Sequence, residues 1–100
     1  MLHIVNQSPT ERPALATCLR LARKGDSILL IEDGVYAAVE NPALVEQTML
    51  SNGQFKLFVL APDLQARGLQ NDKLIQGFEV VNYAGFVDLV AANQLNQSWL

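Results

Sequence analysis

Cysteine and histidine are nearly absent: the 100 residues contain one of each, Cys18 and His3. A lone cysteine forms no internal disulfide, so the fold must be held by packing, and a reducing compartment fits. Two candidate ligands, fifteen residues apart, do not supply a structural zinc site, which takes four. The chain also lacks a Gly-x-Gly-x-x-Gly loop, a Walker-type phosphate loop and a Gly-x-Ser-x-Gly elbow. Neither a metal nor a cofactor is expected. Positive charge is scarce as well. Seven bases stand against ten acids, for a net charge of −3, and no basic stripe exists to neutralise several phosphates, so direct nucleic-acid binding is not expected. No apolar stretch approaches the ~20 residues of a membrane span. Met1–Asn6 has no positive region and too short an apolar run for a signal peptide. A soluble, cytoplasmic protein is the expectation.

Apolar residues make up 50% of the chain, an ordinary share for a globular protein, and the length suits one domain over residues 1–100. A domain this small buries roughly two thirds of its unfolded surface, so association with partners would add stability.

Leu2–Asn6 reads as a short buried strand. Ser8 and Glu11 have capping-box spacing, and Ala14, Leu15, Cys18, Leu19 and Ala22 then recur on one helical face, ending near Lys24 and Gly25. Arg20, Arg23 and Lys24 at that end complement the helix dipole. Ser27–Ile31 is an apolar run without alternation, as a central parallel strand requires. Val35–Val39 reads as a helical turn and residues 43–50 as a short helix between the breaks at Asn41-Pro42 and Ser51-Asn52-Gly53. Phe55–Leu60 is a third strand. Pro62-Asp63 opens a short helix through Ala66, closed by Gly68. Phe78–Val81 is a fourth strand and Tyr83–Ala92 a final helix. The tail from Asn93 is polar until Trp99-Leu100. Strands alternating with helices imply an α/β fold: three layers, α/β/α, around a small parallel sheet of four to five strands.

Few residues are candidates for chemistry. Cys18 falls on the apolar face of its helix, where a cysteine is a small buried hydrophobe, although a thiolate there would offer sulfur chemistry. Glu32-Asp33-Gly34 follows the second strand, and ligands in open α/β sheets gather beyond the carboxyl ends of strands. The pair is either a rim facing a ligand or partner, or a turn in which Asp33 caps and Gly34 supplies an unusual backbone geometry. Val35 and Tyr36, beside that turn, suit a contact surface. Trp99 gains burial by docking either on its own domain or on a neighbouring subunit. His3, inside the first strand, reads as a buried neutral imidazole bonded locally.

Several segments, in order, resemble the DsrH/TusB family: Leu2-His3-Ile4-Val5-Asn6 with Ser8-Pro9, then Gly25-Asp26, then Leu29 through Ala38. Val59-Leu60, Pro62-Asp63-Leu64, Ala66-Arg67-Gly68, Tyr83, Gly85 through Leu89, and Ser98-Trp99-Leu100 continue it. The resemblance implies a subunit of a sulfur-relay complex of the DsrEFH or TusBCD type, built from three related α/β subunits. The main persulfide cysteine then belongs to a DsrE/TusD-like sister subunit, beside a DsrF/TusC-like one. A TusA-type donor supplies sulfur and a DsrC/TusE-type acceptor takes it, in tRNA wobble-uridine 2-thiolation or in sulfur oxidation. A cysteine at the place of Cys18 is more like the DsrH branch than the TusB branch. Two other readings stay open: direct carriage of sulfane sulfur by Cys18, and a stand-alone small-molecule-binding domain with Glu32 and Asp33 at its site.

Overall fold

A computed structural model describes residues 1–8, 18, 20–23, 25–39, 56–93 and 95–99. Among the described residues, five strands form one sheet: β1 (Leu2–Val5), β2 (Ser27–Leu30), β3 (Lys56–Leu60), β4 (Phe78–Val81) and β5 (Asn96–Trp99). Their order across the sheet is β4-β3-β2-β1-β5, and every pairing is parallel. All four residues of β2 are buried, as are the last four of β3. That explains their unbroken apolar sequences, since a central parallel strand is covered on both faces.

Side chains alternate between two apolar layers. Val5, Ile28, Leu30, Leu57 and Val59 face one layer, closed by Cys18, Ala22, Val35 and Leu64. Leu2, Leu29 and Phe58 face the other, covered by Phe86 and Leu89. Helical segments therefore lie on both sides. On the first side are the stretch with Cys18, the 3-10 helix Glu32–Ala38 and helix α1 (Ala61–Ala66); on the second is helix α2 (Tyr83–Ala92). Pro62 opens α1, where its missing N–H costs nothing, and Gly68 ends the turn at φ 67°. Asn82 caps α2 by accepting the Gly85 N–H at 2.8 Å.

The three-layer α/β/α arrangement expected from sequence is present, and four of the five strands lie where the apolar runs placed them. The fifth lies in the tail, which reads as polar because three residues of β5 are exposed at the sheet edge. The helical turn expected at Val35–Val39 begins earlier, at Glu32. The helix expected at residues 43–50, its flanking breaks, and Ala14, Leu15 and Leu19 of the first helix lie outside the described residues. Cys18, Arg20 and Leu21 are helical, and Ala22 donates its N–H to the Cys18 carbonyl at 2.8 Å.

Candidate functional site

All five strands are parallel, so their carboxyl ends share one edge of the sheet, and there the 3-10 helix follows β2 beside the start of α1. Glu32 and Asp33 are both exposed on this rim. Glu32 has φ 50°, a left-handed conformation that costs a non-glycine residue about 1–2 kcal/mol. Its backbone N–H is held by Asp63 Oδ2 at 2.7 Å. Arg67 closes the group, donating from Nε to Asp33 Oδ1 at 3.0 Å and from Nη1 to the Asp63 carbonyl at 3.2 Å. The guanidinium also lies 3.8 Å from the Asp63 carboxylate. The result is a rim of three carboxylates and one guanidinium, in which Arg67 pairs with Asp33 and Asp63 while Glu32 is exposed.

The sequence located this rim but misassigned its parts. Gly34 does not carry the unusual backbone; Glu32 does. A β-carbon at Gly34 would collide with the Val5 carbonyl, so glycine is required there by close approach of the two segments. Asp33 does not cap the turn: the residue at that position is Ile31, without a side-chain cap, and the Asp33 carboxylate binds Arg67. Gly34 and Val35 are buried, Val35 completely, which leaves Glu32, Asp33 and the half-buried Tyr36 to form a surface. Asp63 and Arg67 went unremarked as side chains, although their i, i+4 spacing is a readable signal for an ion pair.

Cys18 is fully buried in the same apolar layer as Val35 and Trp99. Burial, reinforced by the negative charge of Asp26, pushes its thiol from the ordinary value near 9 up to about 12. Such a sulfur is a protonated thiol at neutral pH and a poor nucleophile.

A second polar group is buried beneath the sheet's edge. His3 Nε2 lies 2.8 Å from Asp26 Oδ2, and Trp99 Nε1 donates to His3 Nδ1 at 3.1 Å. The amino group of Met1 binds the other Asp26 oxygen at 3.1 Å. The Arg23 backbone N–H donates to Asp26 Oδ2 at 2.9 Å. Burial works against the Asp26 carboxylate, but the bonds from Arg23, His3 and the amino terminus outweigh it and hold its pKa at about 2. Trp99 thus docks on its own chain, and His3 is the locally bonded, buried ring expected from its place in β1. Asp26 is the centre of the group. Its position just ahead of a fully buried strand was the available signal.

Among the described residues, no group of three or more His, Cys, Asp or Glu is arranged to hold a metal ion. No helix there is long and apolar enough to cross a membrane.

Residues 7–96 match the family model described as DsrH like protein. The chain is 35% identical over 99 residues to Protein TusB of Enterobacter sp. (strain 638), covering 99% of this chain and 100% of that one. It is 38% identical over 101 residues to Protein TusB of Serratia proteamaculans, again covering 99% and 100%. Protein TusB of Erwinia tasmaniensis is 38% identical over 99 residues with the same coverage. Two solved structures share the fold. The solution NMR structure of protein Tm0979 from Thermotoga maritima has a TM-score of 0.68 at 24% identity, covering 94% of this chain and 95% of that one. Protein MTH1491 from Methanobacterium thermoautotrophicum has a TM-score of 0.71 at 18% identity, covering 97% and 95%.

Proposed function

The chain belongs to the DsrH/TusB family, and on that premise we propose that it works as an auxiliary subunit of a heteromeric persulfide-relay complex in the cytoplasm. The observation that carries this reading is the likeness to TusB proteins over essentially the whole chain. The sealed Cys18 thiol supports an auxiliary role, because sulfur transfer needs a reachable thiolate, and this chain's one cysteine is neither reachable nor ionised. A single domain over residues 1–100 fits the pairing of β1 with β5, which draws early and late segments into one sheet.

The partners in this reading are a DsrE/TusD-like subunit bearing the reactive cysteine and a DsrF/TusC-like subunit. A TusA-type donor feeds the complex and a DsrC/TusE-type acceptor drains it. The TusB identity of the relatives favours tRNA wobble-uridine 2-thiolation over the sulfur-oxidation branch that the presence of Cys18 favours. Glu32, Asp33 and Tyr36 form the surface we assign to a sister subunit. Glu32 and Asp33 are exposed and tied to Asp63 and Arg67, and Tyr36 is half-buried beside them, whereas Gly34 and Val35 are buried.

Co-expression with the two sister-type genes of the same genome, followed by gel filtration, tests the assembly. One stoichiometric complex is the expected outcome, and separate elution of this chain at micromolar concentration would end the proposal. Deleting its gene should lower the 2-thiouridine content of tRNA several-fold. An unchanged content, with assembly intact, would move the complex to the oxidation branch.

A further inference from the structure

The buried chain Asp26–His3–Trp99 lies outside the rim, and its hydrogen-bond polarity makes it sensitive to a single proton. An indole nitrogen only donates, so the 3.1 Å bond from Trp99 Nε1 makes His3 Nδ1 an acceptor. The proton of the neutral ring then sits on Nε2 and is donated to Asp26 Oδ2 at 2.8 Å. A second proton has one place to go, Nδ1, where it meets the indole N–H head-on. Two donors share no hydrogen bond, so a doubly protonated ring and a docked Trp99 exclude each other.

We propose that His3 is a proton-operated latch on the last strand: the neutral ring holds β5 against β1 through Trp99, and the imidazolium lets it go.

Among the described residues, few charged groups surround the ring. On the β2 side the facing charged group is the Asp26 carboxylate, and Ile28 is the register partner of His3. On the β5 side the register partner is the uncharged Gln97, with Trp99 two residues on. The helical stretch on the same layer contributes the neutral Cys18 thiol and the Arg23 backbone N–H. The amino group of Met1 shares the carboxylate through its other oxygen and opposes a second cation. Among the described residues, then, the ring faces one anion directly and one cation across it. Beyond its backbone ladder to β1, the strand it holds has little side-chain anchorage. β5 is an edge strand with three of four residues exposed, and Trp99 is its member packed in the apolar layer.

The full chain carries one tryptophan, whose indole N–H resonance and fluorescence report on docking. The experiment follows that resonance, the His3 ring resonances and amide hydrogen exchange in a titration from about pH 8 to about pH 5, where imidazoles in general exchange a proton. The indole signal and exchange in residues 96–99 should change with the same midpoint as the His3 ring. After correction for chemical exchange, β5 amides should open roughly tenfold more often at the acid end, as loss of one hydrogen bond implies, while β2 amides stay protected. His3→Asn keeps an acceptor near the Nδ1 position without titrating, and should flatten the response. Trp99→Phe should leave β5 equally open at both ends. A ring that titrates while β5 exchange stays constant overturns the proposal. So does a ring that stays neutral to about pH 5 in the folded chain. Both results are read on the unsubstituted protein, so neither depends on a variant that folds.

Discussion

Gly34 lies against the carbonyl group of Val5 so closely that no β-carbon fits between them. The contact joins the 3-10 helix to the end of β1, and its obstacle is backbone, which does not swing aside as a long side chain does. Gly34→Ala should therefore cost about 2–3 kcal/mol, at the upper end of overpacking penalties. Urea denaturation checks it, and a loss below about 0.5 kcal/mol, the range of neutral surface changes, would mean the two segments separate freely.

Cys18 should resist labelling. With its thiol raised from near 9 to about 12, the thiolate fraction at pH 8 is roughly a thousandfold below that of a free cysteine. A thiol reagent should react at the rate of unfolding in the native chain and rapidly in denaturant. Because the folded chain holds this proton more tightly than the unfolded one, Cys18 stabilises the fold below about pH 9 and loses that contribution as pH rises toward about 12. Incubated with a sulfur donor inside the assembled complex, the chain should keep its mass. A gain of about 32 Da, absent in Cys18→Ser, would instead make Cys18 a carrier.

Asp26 gives a dependence of opposite sign. Its folded pKa of about 2 lies below the ordinary 3.8, so its contribution is complete above about pH 4 and disappears as pH falls through about 2. Asp26→Asn should remove that acid slope. At pH 7 it should also lower stability by roughly 2–3 kcal/mol, the worth of charge-assisted bonds lost to His3, Arg23 and the amino terminus. Denaturation curves at pH 7 and pH 3 for the two proteins decide it; parallel curves would mean the carboxylate is not the centre of the group.

Reversing the charge of the rim separates assembly from folding. Glu32→Lys with Asp33→Lys should shift stability by less than about 1 kcal/mol, because both side chains are exposed and one exposed ion pair is lost. Association with the sister subunits should weaken at least tenfold, the usual order for several rim charges mismatched at once. Binding measured by titration calorimetry with unchanged affinity would move the contact surface elsewhere.

The sheet was legible wherever burial leaves a continuous apolar record. β2 and β3 are covered on both faces, so Ile28, Leu29, Leu57 and Phe58 could be read without ambiguity. β5 left no such record: Asn96, Gln97 and Ser98 lie on an exposed edge and join the sheet through backbone hydrogen bonds, to which side-chain pattern is blind. The same holds at the rim. Its location followed from where an apolar run stopped, but Gly34 and Glu32 exchanged roles because close approach of a distant backbone segment is a tertiary fact. Asp26 was hidden for a related reason. Its three partners come from Met1, His3 and Arg23, and local spacing announces only the last.

The pairing of β1 with β5 sets an order of events at the ribosome. β2 can dock on one side of β1 early, but the opposite flank of β1 waits for a partner made about ninety residues later. At ordinary synthesis rates that interval is about 5–18 seconds. Throughout it the nascent chain offers an open parallel edge backed by Leu2 and Val5, the kind of surface that recruits chaperones or mispairs with a second chain. Yield in the cell should therefore depend on how soon residues 96–99 leave the exit tunnel.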